Sequence, residues 1–308
     1  MFETILVPLD GSHSAEHAIP AALAVARRTG GRIRLAHVFV PMPGPFPADL
    51  PDDFAARQER EARDRAAEYL ERLARRLDDL TQQTVGYDVV TGSVADGVHA
   101  IARLHGADLI VMTTHGRGGF ARAWLGSGAD AVVRGTGVPV LLTRPRSGEV
   151  EISADVRLSR VIVPLDGSDL AEEALGPAAS LAGTDGRITL VAVAAPPLPD
   201  AGPTVSPILM RPMGRESEAH AYLQQVAARL AAGGVGADVR VLAHAAPAVA
   251  ILEATADAGA DIIAIATHGR GGIARFVLGS TADKVIRGAT VPVLAWRPRT
   301  EGNDSPAA

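Results

Sequence analysis

Thr114 to Ser127 reads THGRGGFARAWLGS, and Thr267 to Ser280 reads THGRGGIARFVLGS. The two stretches lie 153 residues apart, and the likeness extends outward from them on both sides. Upstream, Thr4 to Ser12 reads TILVPLDGS and Arg160 to Ser168 reads RVIVPLDGS, an offset of 156 residues. Downstream, the copies close with VPVLL from Val138 to Leu142 and VPVLA from Val291 to Ala295. A chain of 308 residues therefore reads as two homologous units of about 150 residues, each of ordinary domain size. The expected domains are 1–144 and 158–298. Residues 145–157, polar and containing Pro145 and Gly148, form the expected linker, and 299–308 a disordered tail.

Inside each unit, short apolar runs alternate with longer helical patterns. In the first copy the runs Thr4–Leu9, Ile33–Val40, Thr84–Val90, Leu109–Thr113 and Val138–Thr143 predict strands. Ser14–Thr29, Asp53–Leu80, Val94–Leu104 and Ser127–Arg134 predict helices, and the second copy repeats the order. Strands joined by crossover helices imply an α/β fold with a parallel sheet covered on both faces. Each copy is expected to be a doubly wound, five-stranded sheet. Two proline-rich loops follow the second strands, near Pro41 and near Ala195, and read equally as lids or partner surfaces and as tolerated insertions.

Composition excludes several function classes. Aromatics are 4% of the chain and the net charge is −5, so neither stacking nor bulk electrostatics points to nucleic acid. There is no cysteine, which removes disulfides, thiolate metal sites and cysteine nucleophiles. The start, MFETILVPLDGS, lacks a basic region followed by a long apolar stretch, and no run is long enough to span a membrane. The expected location is the cytoplasm.

In an open parallel sheet, ligands bind beyond the carboxyl ends of the strands where strand order reverses. Two motifs per copy should meet there. The first is the turn after the first strand: Pro8, Asp10, Gly11 and Ser12, repeated as Pro164, Asp166, Gly167 and Ser168. A carboxylate there can accept hydrogen bonds from an adenine amino group or ribose hydroxyls. Asp and Ser equally suit a helix N-cap, and in one copy alone the cap is the stronger reading.

The second motif follows the fourth strand. His115, Gly116, Arg117, Gly118 and Gly119 lead to Gly126 and Ser127, and Gly269, Arg270, Gly272, Gly279 and Ser280 repeat the arrangement. Glycine-rich turns expose backbone N–H groups to an anion, and the following helix N-terminus adds its dipole and a serine hydroxyl. Arg117 and Arg270 can neutralise phosphate charge, although loop arginines are more often simply solvated. No Gly-Lys-Ser/Thr follows, so this is not a P-loop, and the spacing does not fit G-x-G-x-x-G. His17, His37, His99, His105, His220 and His244 show no metal-ligand spacing.

With these residues in place, the chain resembles the ATP-binding branch of the universal stress protein family, twice and over nearly its whole length. The family pattern is G-x-x-G, nine residues, then G-S/T. Gly116, nine residues and Gly126-Ser127 match it, as do Gly269, nine residues and Gly279-Ser280. The pattern's first glycine is Thr113 in one copy and Ala266 in the other, which alters the ribose side of each site.

The resemblance implies that Asp10 and Asp166 contact the adenosine moiety and that Val38 and Val193 line the adenine pocket. The motif glycines with Ser127 and Ser280 would hold ribose and phosphates. It implies strand order 3-2-1-4-5, pairing of the fifth strands across a pseudo-twofold axis, one ATP per copy with Mg²⁺ on its phosphates, and a stress-responsive regulator with an unnamed protein partner or a homodimeric state. No metal-ligand set and no base for hydrolysis stand out beyond Asp10 and Asp166, so no catalytic residue is assigned. The rivals are a nucleotide-free scaffold of the same fold, an ATP-dependent enzyme such as a nucleotidyl transferase or slow ATPase, and a binder of another adenine nucleotide such as cAMP.

Overall fold

Among the described residues, runs of Val, Ile and Leu too short for helices form ten strands, and the amphipathic stretches between them form ten helices. A computed structural model describes residues 1–41, 53–114, 126–145, 148–194, 216–267 and 278–297. The first copy runs β1 (Thr4–Pro8), α1 (His13–Glu16), α2 (Ile19–Thr29), β2 (Arg32–Phe39), α3 (Phe54–Thr81), β3 (Gly86–Thr91), α4 (Val94–His105), β4 (Leu109–Thr113), α5 (Ser127–Gly135) and β5 (Val140–Thr143). The second runs β6 (Arg160–Pro164), α6 (Asp169–Glu172), α7 (Leu175–Ala182), β7 (Arg187–Ala194), α8 (Glu216–Ala232), β8 (Ala237–Ala243), α9 (Pro247–Asp257), β9 (Ile262–Ala266), α10 (Ser280–Gly288) and β10 (Val293–Trp296).

The strands make one sheet in the order β3-β2-β1-β4-β5-β10-β9-β6-β7-β8, so each copy has the order 3-2-1-4-5. Strands within a copy pair in parallel. β5 and β10 pair antiparallel, with Leu141 opposite Leu294 and Leu142 opposite Val293. Pro139 and Pro292 bring no N–H to a ladder, and β5 and β10 begin one residue after them.

Alternation along the buried strands feeds two apolar layers. Leu109 and Val111 face α1, α2 and α3 with their counterparts α6, α7 and α8, whereas Ile110 and Met112 face α4, α5, α9 and α10. The expected helix over 14–29 is two helices, α1 and α2. Pro20 lies in the first turn of α2, and its ring clashes with a helical carbonyl four residues back, at Glu16, where α1 ends. Pro177 breaks α6 from α7 in the same way.

The expected linker is less polar in its role than in its composition, because Ile152 is only 2% exposed and joins the apolar layer that holds α1, α2, α3 and their counterparts. α3 is amphipathic as expected, burying Ala66, Leu70, Leu73, Ala74 and Leu77 and carrying i,i+4 pairs such as Arg75–Glu71 outside. The loops near Pro41 and Ala195, at 42–52 and 195–215, and the tail from 298 lie outside the described residues. Among the described residues no helix is long and apolar enough to cross a membrane.

Candidate functional site

β1 and β4 are neighbours, and between them the sheet changes direction of growth, from β1 toward β2 and from β4 toward β5. Their carboxyl ends deliver the two motifs to one place. After β1, Leu9 N–H donates to Ala36 O of β2 at 2.7 Å, which carries the chain past the carboxyl end of the sheet into the Asp10 turn. Gly11 then takes φ 76° and Gly167 φ 77°, left-handed values that favour glycine.

The turn is closed by side chains. Asp10 Oδ1 accepts from the Ser12 N–H at 2.9 Å and from the Ser12 hydroxyl at 2.6 Å. Ser12 Oγ in turn accepts from Ala15 N at 3.2 Å, which makes Ser12 the N-cap of α1. The second copy repeats this at 3.0, 2.6 and 3.2 Å with Asp166, Ser168 and Ala171. The cap is therefore Ser12 or Ser168, and the aspartates order the turn through one carboxylate oxygen.

Across the switch point, Gly126 N–H donates to Thr114 O at 2.6 Å and Gly279 N–H to Thr267 O at 2.8 Å. These bonds hold the start of α5 and of α10 against the ends of β4 and β9. Both helices are nine residues long, open on a glycine N-cap with no side-chain cap bond, and expose Ser127 and Ser280. A Cβ at Gly279 would lie 3.0 Å from Thr267 O, so glycine allows this close approach. A glycine-capped terminus with an exposed serine leaves its first N–H groups to an external anion, which suits a phosphate.

Thr113 and Ala266 end β4 and β9 with their side chains 5% and 8% exposed, on the face covered by α1 and α6. Val38 and Val193 are half-buried on the opposite face, where a Cβ added at Gly97 of α4 would lie 2.7 Å from both Val38 methyls. Gly116, Arg117, Gly119, Gly269, Arg270 and Gly272 lie outside the described residues. Two open clefts, of about 280 and about 500 Å³, lie away from both motifs, the larger at the opposite, amino ends of β6, β7 and β8. Among the described residues no group of three or more His, Asp or Glu side chains is placed to hold a metal ion.

A profile of the Universal stress protein family matches residues 1–144 and, a second time, residues 158–297. The chain belongs to the universal stress protein family. A universal stress protein of Mycolicibacterium smegmatis is 29% identical over 307 residues, covering 96% of this chain and 97% of its own length. One from Thermus aquaticus is 34% identical over 148 residues, 47% of this chain and all of its own, as a single copy would be. In fold, a universal stress protein structure from Archaeoglobus fulgidus superposes with a TM-score of 0.71 at 20% identity, over 96% of this chain and 99% of its own.

This universal stress protein also has neighbours to its aspartate turns that the motifs did not reveal. Tyr69 of α3 donates to Glu16 Oε1 at 2.8 Å, and Tyr222 of α8 donates to Glu172 Oε1 at 2.9 Å. Burial, then the Glu172 carboxylate and the charge of Asp166, push the Tyr222 phenol well above its ordinary value. The signal was present: the chain has three tyrosines, and two of them sit 153 residues apart, in register with the repeat.

Proposed function

We propose that each copy binds one adenine nucleotide, ATP carrying Mg²⁺ on its phosphates, and that the chain is a stress-responsive regulator with little or no turnover. The carrying observation is the convergence, at the β1–β4 switch point, of an aspartate turn with a glycine-capped, nine-residue helix. The turn supplies a carboxylate for the adenosine part, and the helix start supplies N–H groups and Ser127 or Ser280 for the phosphates. The residues fit the phosphates better than they fit a metal, so Mg²⁺ would arrive on the nucleotide and neutralise part of its charge.

Titration calorimetry of the purified protein with ATP and Mg²⁺ tests the reading. Two sites per chain are expected, and a protein that takes up no ATP would overturn it. A nucleotide-free scaffold is the second reading, motivated by the buried Thr113 and Ala266 at the position where the family pattern has glycine. Native mass spectrometry of the protein as purified separates the two: co-purified nucleotide supports the first reading.

A further inference from the structure

The Asp10 and Asp166 turns each run straight into a helix of four residues, α1 and α6. One isolated helical turn fixes several dihedrals for a single hydrogen bond and does not hold its own direction. Its orientation must come from outside. Within α1, Ala15 is buried in the core and Glu16, the last residue, accepts a hydrogen bond from Tyr69 of α3. α3 is long and anchored through Leu70, Leu73 and Leu77, so Tyr69 reaches α1 from a fixed support.

The geometry repeats in the second copy. Tyr222 of α8, flanked by the buried Ala219, Leu223 and Val226, bonds Glu172 at 2.9 Å. Both glutamates are four residues beyond the N-cap serine that closes the aspartate turn, and their side chains are 19% and 21% exposed. A phenol–carboxylate bond in such a half-dry setting is a charge-assisted bond, stronger than a neutral one. The Asp166 charge bears on the Tyr222 phenol, so the clamp and the turn are electrostatic neighbours.

We propose that the hydroxyls of Tyr69 and Tyr222 are positioning groups: each fixes its single-turn helix through Glu16 or Glu172 and so sets the direction of the Asp10 or Asp166 carboxylate toward the nucleotide. The link to the nucleotide rests on the ATP-binding reading above; the link to the turn does not. The two clamps differ in their company. Arg229 also pairs with Glu172, and Trp296 Nε1 donates to the adjacent Glu173 at 3.3 Å, so α6 is tied at more points than α1. The first copy therefore depends more on its tyrosine.

Tyr69→Phe and Tyr222→Phe remove one oxygen each from the full chain. Two measurements are made on both variants: amide hydrogen exchange at the turn, and calorimetric titration with ATP and Mg²⁺. Tyr69→Phe is expected to speed exchange of the Ser12 and Ala15 amides about ten-fold while leaving Ser168 and Ala171 unchanged, and to weaken one of two ATP sites by about ten-fold. Tyr222→Phe is expected to do the reverse, with a smaller effect. A purely structural bond lowers the melting temperature and leaves the ATP affinity where it was, which would overturn the proposal. Unchanged exchange at Ser12 and Ala15 in Tyr69→Phe overturns it as well, even for a protein that binds no ATP. If the wild-type chain binds no ATP and exchange does accelerate, the nucleotide reading falls and the clamp stands.

Discussion

His99 of α4 lies against Gly135 at the end of α5: a Cβ added to the glycine would sit 2.5 Å from the ring Cε1, and the ring Nε2 is 3.2 Å from Val132 O. In the second copy Leu252 of α9 lies against Gly288 of α10 in the same way. The two helices behind the proposed phosphate-binding turns are thus packed on a titratable ring in one copy and on an aliphatic side chain in the other.

This difference predicts a pH dependence confined to the first copy. Burial is the largest influence on His99 and holds its affinity for a proton below the ordinary value of 6.5, against the opposing bond to Val132 O. The unfolded chain therefore takes up the proton first. The His99 contribution to stability is complete above pH 6.5 and is lost as the pH falls through the lower folded value. Denaturant midpoints measured on either side of that window should fall further on acidification for wild type than for His99→Leu. Equal falls would sink the argument.

Much of the fold was legible because its signals are local. Apolar runs of strand length, punctuated by glycine and proline, place the five strands of the first copy to within a few residues, the repeat carries their order to the second, and the crossover rule then fixes the sheet type. The α1–α2 break was written in Pro20, whose effect acts four residues back and is lost in a smooth helical periodicity. Ile152 was illegible for a different reason: Val150, Ile152 and Val156 alternate with polar residues in a stretch that reads as linker, and tertiary packing alone decides that Ile152 is the one fully buried. At the candidate site, Asp10, Ser12, Gly126 and Ser127 were legible as contiguous motifs. Tyr69 and Glu16 are 53 residues apart and meet only once α3 is packed on β2, β3 and α2.

Asp261, just before β9, ties that strand to β6. Its carboxylate accepts from the Arg160 N–H and from Arg160 Nη2, both at 2.9 Å, and its side chain is 8% exposed. Burial alone would raise its proton affinity, but the Arg160 bonds outweigh burial and hold the carboxyl below the ordinary 3.8. Asp261→Asn is predicted to cost about 1–3 kcal/mol at neutral pH, read as a lower urea midpoint. The penalty should shrink in acid, because the wild-type contribution is lost as pH drops below 3.8 through the folded value.

The junction between the copies offers a comparison of apolar and ionic contributions. Leu141 and Leu294 face each other across β5 and β10 and are 0% and 1% exposed. On the flanking helices, Asp130–Arg134 and Asp283–Arg287 pair at 2.7 Å, and each arginine also feels the other copy's aspartate. These pairs are about a third exposed, so water screens them. Leu141→Ala should cost about 2–5 kcal/mol, and Asp130→Ala less than about 1 kcal/mol. Equilibrium unfolding of both variants checks the ranking; comparable losses would mean that the ionic cluster carries the junction.

Gly279 links fold and proposed function most directly. A methyl group there meets Thr267 O at 3.0 Å, and that oxygen already accepts the Gly279 N–H at 2.8 Å. Backbone cannot swing away as a flexible side chain would, so Gly279→Ala must move the start of α10 or lengthen that bond. Helix propensity argues little at an N-cap, where glycine and alanine differ by about 1 kcal/mol or less. The predicted result is a melting temperature within a few degrees of wild type, with ATP uptake reduced from two sites to one. On the proposed reading the displaced N–H groups would no longer converge on a phosphate in the second copy, whereas Gly126, Ser127 and the first copy's turn are untouched. Titration calorimetry with ATP and Mg²⁺ reads the stoichiometry directly. A Gly279→Ala protein that still binds two equivalents with unchanged affinity would show that the start of α10 does not hold the phosphates.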